Sequence, residues 1–88
     1  YTWTTFRLWR KSRRNNGDGS FGVDLNRNWE VGWGGVNSSP STFSDGYRGT
    51  APFSEPETRA IRDYLATVPE LGGLIDYHSF SSLILLPW

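Results

Sequence analysis

The sequence has 88 residues, with 9 Lys and Arg against 9 Asp and Glu, so it allows one small domain without net charge. It contains no cysteine, which excludes disulfides and cysteine–metal sites, and it has no apolar run long enough to span a membrane. Aromatic residues make up 16%, which is typical of a packed globular chain rather than a disordered one. Because the chain lacks an initial Met and ends on apolar residues, we expect a fragment of a longer protein.

Five basic residues crowd the first stretch of the chain: Arg7, Arg10, Lys11, Arg13 and Arg14. With Trp9 beside them they could form a patch that binds nucleic acid through charge and stacking. The neutral balance of the whole chain argues against that interpretation. The simpler alternative is a solvated edge with one or two arginines turned inward.

Residues 12–22 consist almost entirely of turn-forming residues, and the pattern predicts a loop. A calcium loop of the EF-hand type is the alternative, since it needs oxygen ligands at its first and twelfth positions and glycine at the sixth. Placing Gly19 sixth puts Arg14 first and Leu25 last, and neither can bind calcium. We therefore interpret the segment as a turn-rich loop or hairpin.

The segment VDLNRNW, residues 23–29, places Arg27 between two asparagines. A guanidinium beside the amide of Asn26 is a good receptor for a carboxylate, because it offers several charge-assisted hydrogen bonds in a fixed geometry. The alternative is a structural arginine that pairs with Asp24. The residues alone leave both interpretations open.

The irregular stretch 32–52 is rich in Gly, Ser and Pro, and a loop of that length is typical of a functional or binding segment. Residues 54–69 then predict a helix. Ser54 and Glu57 match the capping box at its start, and Pro69 is expected to end it. Apolar residues recur at helical spacing along this segment: Ala60, Ile61, Tyr64, Leu65 and Val68.

Two apolar runs follow, and we predict strands over 74–80 and 83–88, which with the helix indicates an α/β fold. His78, the only histidine, then lies at the end of a strand, where α/β folds place their sites. A hydrogen-bonded structural histidine is the simpler interpretation. A metal role needs partners, and the chain contains no H-x-x-E or H-E-x-x-H, so His78 could be only one ligand among several.

Taken in order, the motifs resemble those of the zinc metallocarboxypeptidases of the carboxypeptidase A and B type. The resemblance rests on RLWRK at 7–11, VDLNRNW at 23–29, SSP at 38–40, YRG at 47–49, FSEPE at 53–57 and HSFSSLILLPW at 78–88. It implies that residues 1–88 are a central part of one mixed-sheet α/β/α catalytic domain, truncated at both ends.

The resemblance also implies roles for individual residues. His78 would be one of three protein ligands of a catalytic zinc ion, and the other two, together with a general-base glutamate, would lie outside this chain. Arg10 would stabilise the oxyanion at the scissile carbonyl. Asn26 and Arg27 would hold the C-terminal carboxylate of the substrate. Two further residues, Ser79 and Phe80, would line a subsite, with Phe80 standing where many relatives have Tyr.

The expected function is therefore zinc-dependent hydrolysis of the C-terminal peptide bond of peptides and proteins by a secreted, monomeric enzyme. Neither nucleic acid nor a membrane is expected as a partner. The isolated chain should be inactive, because two zinc ligands and the base are missing, and it should fold poorly because its sheet would expose its edges. The alternative function is a noncatalytic relative that binds peptides or zinc.

Overall fold

A computed structural model describes residues 1–79 and 82–86. These residues contain two short regular elements and are otherwise built from turns and loops. A 3₁₀ turn covers Leu25–Arg27, and the helix α1 covers Pro56–Ala66. The turn belongs to the VDLNRNW segment, and the helix follows the long irregular loop. These two elements position the candidate site.

The predicted helix is confirmed, but it begins later and ends earlier than the sequence suggests. Glu55 occupies the N-cap position and Pro56 the first turn, where a fixed φ favours the helix and no N–H is needed. The predicted capping box is wrong, because the hydroxyl of Ser54 lies 2.8 Å from the Nδ2 amide of Asn28 instead. The helix ends at Ala66, before Pro69, and the N–H of its C-cap residue Thr67 donates to the carbonyl of Tyr64.

The interior of the described chain is mainly polar. Val23 and Tyr47 are its buried hydrophobic residues. Apart from Gly22 and Gly49, the other buried residues are polar or charged: Ser20, Asp24, Asn28, Glu55 and Thr58. Their side chains are hydrogen-bonded within the chain, as buried polar groups must be if they are not to cost stability. The apolar stripe of α1 is not part of this interior, since Ile61 and Tyr64 are exposed.

The predicted loop over residues 12–22 is confirmed as a tight hairpin-like turn. An isolated antiparallel bridge joins Asn15 to Phe21, and the N–H of Gly22 donates to the carbonyl of Arg14 at 2.7 Å. Gly22 has a φ of +87°, and a Cβ there would lie 2.3 Å from the carbonyl oxygen of Ser12. The close approach of the two arms therefore requires glycine at this position.

The predicted strands are wrong for the part of the chain that the structure describes. Residues 74–79 and 82–86 contain no strand, and all of them are exposed. An extended apolar segment needs a neighbouring strand for its backbone hydrogen bonds and a packed face for its side chains. Of the predicted α/β arrangement, residues 1–79 and 82–86 therefore contain the helix but no sheet. Pro87, Trp88, Phe80 and Ser81 belong to the predicted strands but lie outside the described residues.

No helix of the described chain combines the length and the apolar character that crossing a membrane requires.

Candidate active site

The 3₁₀ turn that carries Asn26 and Arg27 is held by buried residues at both ends. At its start, the Oδ1 atom of Asp24 accepts a hydrogen bond from the N–H of Asn26 at 3.1 Å. At its end, the N–H of Asn28 donates to the carbonyl of Leu25 at 3.3 Å. Both anchoring side chains are almost fully buried. The turn therefore presents the two predicted substrate-binding residues from a rigid base.

The carboxylate that caps this turn also holds Arg10. Nη1 of Arg10 lies 2.8 Å from Oδ2 of Asp24, and the side chain of Asp24 is only 3% exposed while that of Arg10 is 48% exposed. The guanidinium also donates to the carbonyl of Asp45. A buried carboxylate needs a charged partner, so the pair should resist separation. Asp24 thereby fixes Arg10 relative to Asn26.

A cleft of about 350 Å³ brings together three of the predicted site residues, Arg10, Asn26 and His78. The rest of its wall mixes acidic, apolar and hydroxyl side chains: Asp24, Leu25, Trp29, Glu57, Thr58, Ile61 and Asp76. The cleft thus combines a cation, an amide and an imidazole with an apolar wall, which suits a peptide end.

His78 is exposed at the edge of this cleft and pairs with Asp76, whose Oδ2 atom lies 2.9 Å from Nε2 of the ring. An ionised carboxylate only accepts hydrogen bonds, so Nε2 donates to it and the contact leaves Nδ1 without a role in this pair. Ser79 is exposed beside it, whereas Phe80 lies outside the described residues. Asp76 was not predicted as a site residue, although residues at i and i+2 of an extended segment share one face.

Arg27 lies on the other side of the turn. Its Nε donates to the carbonyl of Asn37 at 2.9 Å, and Nη1 donates to that of Asn26 at 3.3 Å. Arg27 lines a neighbouring cleft of about 180 Å³ that shares Asn26 and Trp29 with the first one. The proposed ion pair between Arg27 and Asp24 is wrong, because the carboxylate of Asp24 is bound by Arg10. The carboxylate-receptor interpretation of Arg27 stays a prediction.

Other residues of the N-terminal basic cluster contact partners within the chain. The guanidinium of Arg13 lies 3.8 Å from the ring centre of Tyr1 and 4.6 Å from that of Trp9. Arg14 forms a 2.8 Å ion pair with the buried Glu55, whose hydrogen bond raises the pKa of the guanidinium. Much of the cluster thus stabilises the loops around the cleft.

The donor set of the described chain fits one position of a catalytic zinc site. Such sites have three protein ligands. Within residues 1–79 and 82–86 no group of three or more His, Cys, Asp or Glu side chains could hold a metal ion. His78, with its ring oriented by a carboxylate, has the arrangement typical of a zinc-binding histidine.

Comparison with known proteins agrees with the sequence resemblance. The family model described as zinc carboxypeptidase matches residues 1–88. Carboxypeptidase O of Bos taurus is 43% identical over 90 residues, covering all of this chain and 24% of that protein. Carboxypeptidase A2 of Rattus norvegicus is 40% identical over 89 residues, covering all of this chain and 21% of that protein.

The structural comparison points to the same group of proteins. The crystal structure of carboxypeptidase A from Helicoverpa armigera matches with a TM-score of 0.68 and 46% identity, covering 74% of this chain and 16% of that one. Structural neighbours are thus carboxypeptidase domains of the α/β class. This chain spans less than a quarter of the length of the relatives described above.

Proposed function

The chain belongs to the zinc carboxypeptidase family, and from that premise we propose that residues 1–88 form part of the catalytic domain of a zinc-dependent exopeptidase. The enzyme would hydrolyse the C-terminal peptide bond of peptides and proteins. The observation that carries this proposal is the cleft that Arg10, Asn26 and His78 line together. These three side chains come from segments far apart in the sequence, and each suits a different part of a peptide's C-terminal end.

His78 would hold the zinc ion through Nδ1, with Asp76 keeping the ring in the required tautomer. The other two protein ligands and the general base would come from outside this chain. When bound, the ion supplies Lewis-acid polarisation of the scissile carbonyl and lowers the pKa of a water molecule.

Arg10 would stabilise the negative charge that develops on the scissile carbonyl oxygen. Its guanidinium is held by the buried Asp24, so it needs no reorganisation when the charge forms. The contacts with Asp24 and Asp45 use Nη1. A guanidinium has five N–H groups, and those that are not on Nη1 remain for the oxyanion. Half of the side chain is exposed, which gives a substrate access to it.

Asn26 and Arg27 would hold the terminal carboxylate of the substrate. The guanidinium of Arg27 now donates to two backbone carbonyls, Asn37 and Asn26. A carboxylate is a stronger acceptor than a neutral carbonyl, so it would compete for these donors. Fixing the carboxylate would place the last peptide bond next to Arg10 and make the enzyme an exopeptidase.

Further features of the proposal come from the family alone. Ser79 and Phe80 would line a subsite next to the zinc ligand. The enzyme would be secreted and monomeric, and it would act on peptide and protein C-termini without nucleic acid or membrane partners.

The experiment uses the complete enzyme with unblocked peptides and mass spectrometry of the products. We expect release of single C-terminal residues, loss of this activity after chelation, and recovery when zinc is restored. Internal cleavage, or activity that survives chelation, would contradict the proposal. Binding of zinc and peptide without hydrolysis would identify the noncatalytic alternative. The isolated chain is the matched control and should be inactive.

A further inference from the structure

The side chain of Asn28 is fully buried directly after the 3₁₀ turn that carries Asn26 and Arg27. Its Nδ2 amide lies 2.9 Å from the carbonyl of Arg48 and 3.1 Å from that of Ala51. These acceptors belong to the loop that leads into α1. The amide therefore ties the turn to a segment that lies 20 or more residues further along the chain.

The other half of the same amide binds the beginning of α1. Oδ1 of Asn28 accepts a hydrogen bond from the hydroxyl of Thr58 at 2.7 Å and one from the N–H of Glu55 at 3.2 Å. Both partners are buried. Because a buried donor or acceptor left without a partner is costly, the amide specifies one arrangement of the turn, the loop and the helix.

Two further contacts strengthen the same junction. The carbonyl of Asn28 accepts a hydrogen bond from the N–H of Phe53 at 2.8 Å. The ring of Phe53 packs edge-on against Trp29, with 5.8 Å between the ring centres. The end of the turn that lies next to Arg27 is thus joined to the loop through backbone, amide and aromatic contacts.

Gly49 allows the loop to approach this closely. Its φ is +84°, and a Cβ there would lie 2.4 Å from Oγ of Ser54 and 2.7 Å from Nδ2 of Asn28. Any side chain would therefore push directly on the Asn28 amide. The junction depends on a residue pair, Asn28 and Gly49, that approach each other from opposite sides.

We infer that Asn28 is a positioning residue for recognition of the substrate's terminal carboxylate, and this inference rests on the proposed function. Asn28 fixes the end of the turn next to Arg27, whereas Asp24 caps the start of the turn at Asn26 and holds Arg10. Disturbing the Asn28 amide should therefore move Arg27, which would bind the carboxylate, more than Arg10, which would bind the oxyanion.

This division predicts a specific kinetic signature. A purely structural residue, when replaced, lowers the fraction of folded enzyme, which reduces the apparent kcat and leaves KM unchanged. A positioning residue for the carboxylate raises KM for free-acid peptides, since hydrogen bonds to a charged group are worth about 10- to 100-fold in binding. The two roles are thus separable by KM.

The test compares Asn28→Asp and Gly49→Ala with wild type in the complete enzyme. Asn28→Asp keeps the shape but replaces the donor with an oxygen, and Gly49→Ala presses on the same amide from the loop. We expect both to raise KM for a free-acid peptide by about 10- to 100-fold, with kcat per folded enzyme changed much less. Folded enzyme is counted by active-site titration.

Arg14→Gln is the matched control. It destabilises the same region by removing the partner of the buried Glu55, but it does not touch the Asn28 amide. We expect a lower Tm with the wild-type KM. If Asn28→Asp does not fold, Gly49→Ala decides the question.

Two results would contradict the inference in distinguishable ways. If wild type releases C-terminal residues and the foldable variants keep its KM, Asn28 is structural only and the proposed function stands. If wild type cleaves internal bonds or shows no exopeptidase activity, the proposed function fails and the inference fails with it.

Discussion

Residues 9–58 and the segment from Pro69 onward differ in burial and in the hydrogen bonds that their side chains form. In the first region, buried polar side chains such as Asp24, Asn28 and Glu55 bind partners from distant parts of the same region. In the second, every described residue, 69–79 and 82–86, is exposed. The first region closes on itself through hydrogen bonds, whereas the second leaves its large apolar side chains, such as Leu74, Ile75 and Leu85, exposed.

The comparison shows where each part of the candidate site gets its rigidity. Arg10 and Asn26 lie in the first region, residues 9–58, which we call the closed region. Both are held by the buried carboxylate of Asp24, which belongs to the same region. His78 lies in the exposed segment, where a hydrogen bond with the exposed Asp76 orients its ring. We expect residues 74–79 to form a strand only within a complete sheet, where their backbone would find hydrogen-bond partners.

The largest effect should come from the exposed region, with His78→Ala in the complete enzyme. Removal of a metal ligand should abolish zinc retention and activity, a larger loss than the about 10- to 100-fold that supporting residues cost. Zinc content by atomic absorption and kcat/KM are the readouts. Tyr77→Phe, at an exposed neighbouring position, is the control. Full zinc content in His78→Ala would exclude His78 as a ligand.

The next effect concerns the ion pair of the closed region. Arg10→Ala should lower kcat by about 100- to 1000-fold, because a preorganised donor to the oxyanion is lost. Steady-state kinetics measure this change. Arg7→Ala is the control, since Arg7 stacks on Trp3 in the same segment and has no proposed catalytic role. An unchanged kcat in Arg10→Ala would show that the residue is only structural.

The next prediction concerns the free energy of unfolding, which should fall when the tight turn of residues 12–22 is disturbed. Gly22 and Gly17 have almost the same φ, +87° and +85°, but only at Gly22 would a Cβ meet neighbouring atoms. Gly17→Ala should cost about 1 kcal/mol from backbone strain alone, and Gly22→Ala about 2 kcal/mol more. Urea unfolding of the complete enzyme measures both. Equal losses would mean that the two arms of the loop are not packed as described.

The smallest effect is a pH dependence of the same loop. Hydrogen bonds from Ser20 and then Thr42 lower the pKa of Asp18 from 3.8 to about 2. Because the folded-state pKa is depressed, this contribution to stability is present above pH 3.8 and is lost as pH falls towards 2. Asp18→Asn should therefore flatten the dependence of Tm on pH in that range. A wild-type slope in Asp18→Asn would contradict this account.

The sequence predicted those features of the fold that depend on local residues. The helix and the 12–22 loop follow from spacing and turn residues. The start of the helix was missed because the Ser54 hydroxyl is engaged by Asn28, 26 residues away, which no local rule describes. The strand over 74–80 was predicted from its apolar pattern, but strands form only when a partner is present.

For the candidate site, too, the sequence predicted individual residues but not the contacts between distant segments. Motif resemblance identified Arg10, Asn26 and His78, and the structure places all three around one cleft. The pairing of Arg10 with Asp24 and the buried amide of Asn28 were not predicted. Both are contacts between segments distant in sequence, and they can be read only from the folded chain.

The most direct test of the central claim compares free-acid and C-terminally amidated forms of one peptide, in wild type and Arg27→Ala. The account predicts that wild type strongly prefers the free acid and that Arg27→Ala loses about 10- to 100-fold of that preference, the value of hydrogen bonds to a charged group. Arg48→Ala, an arginine stacked on Trp33, should keep the wild-type preference. Equal cleavage of both peptides by wild type, or an undiminished preference in Arg27→Ala, would contradict the account.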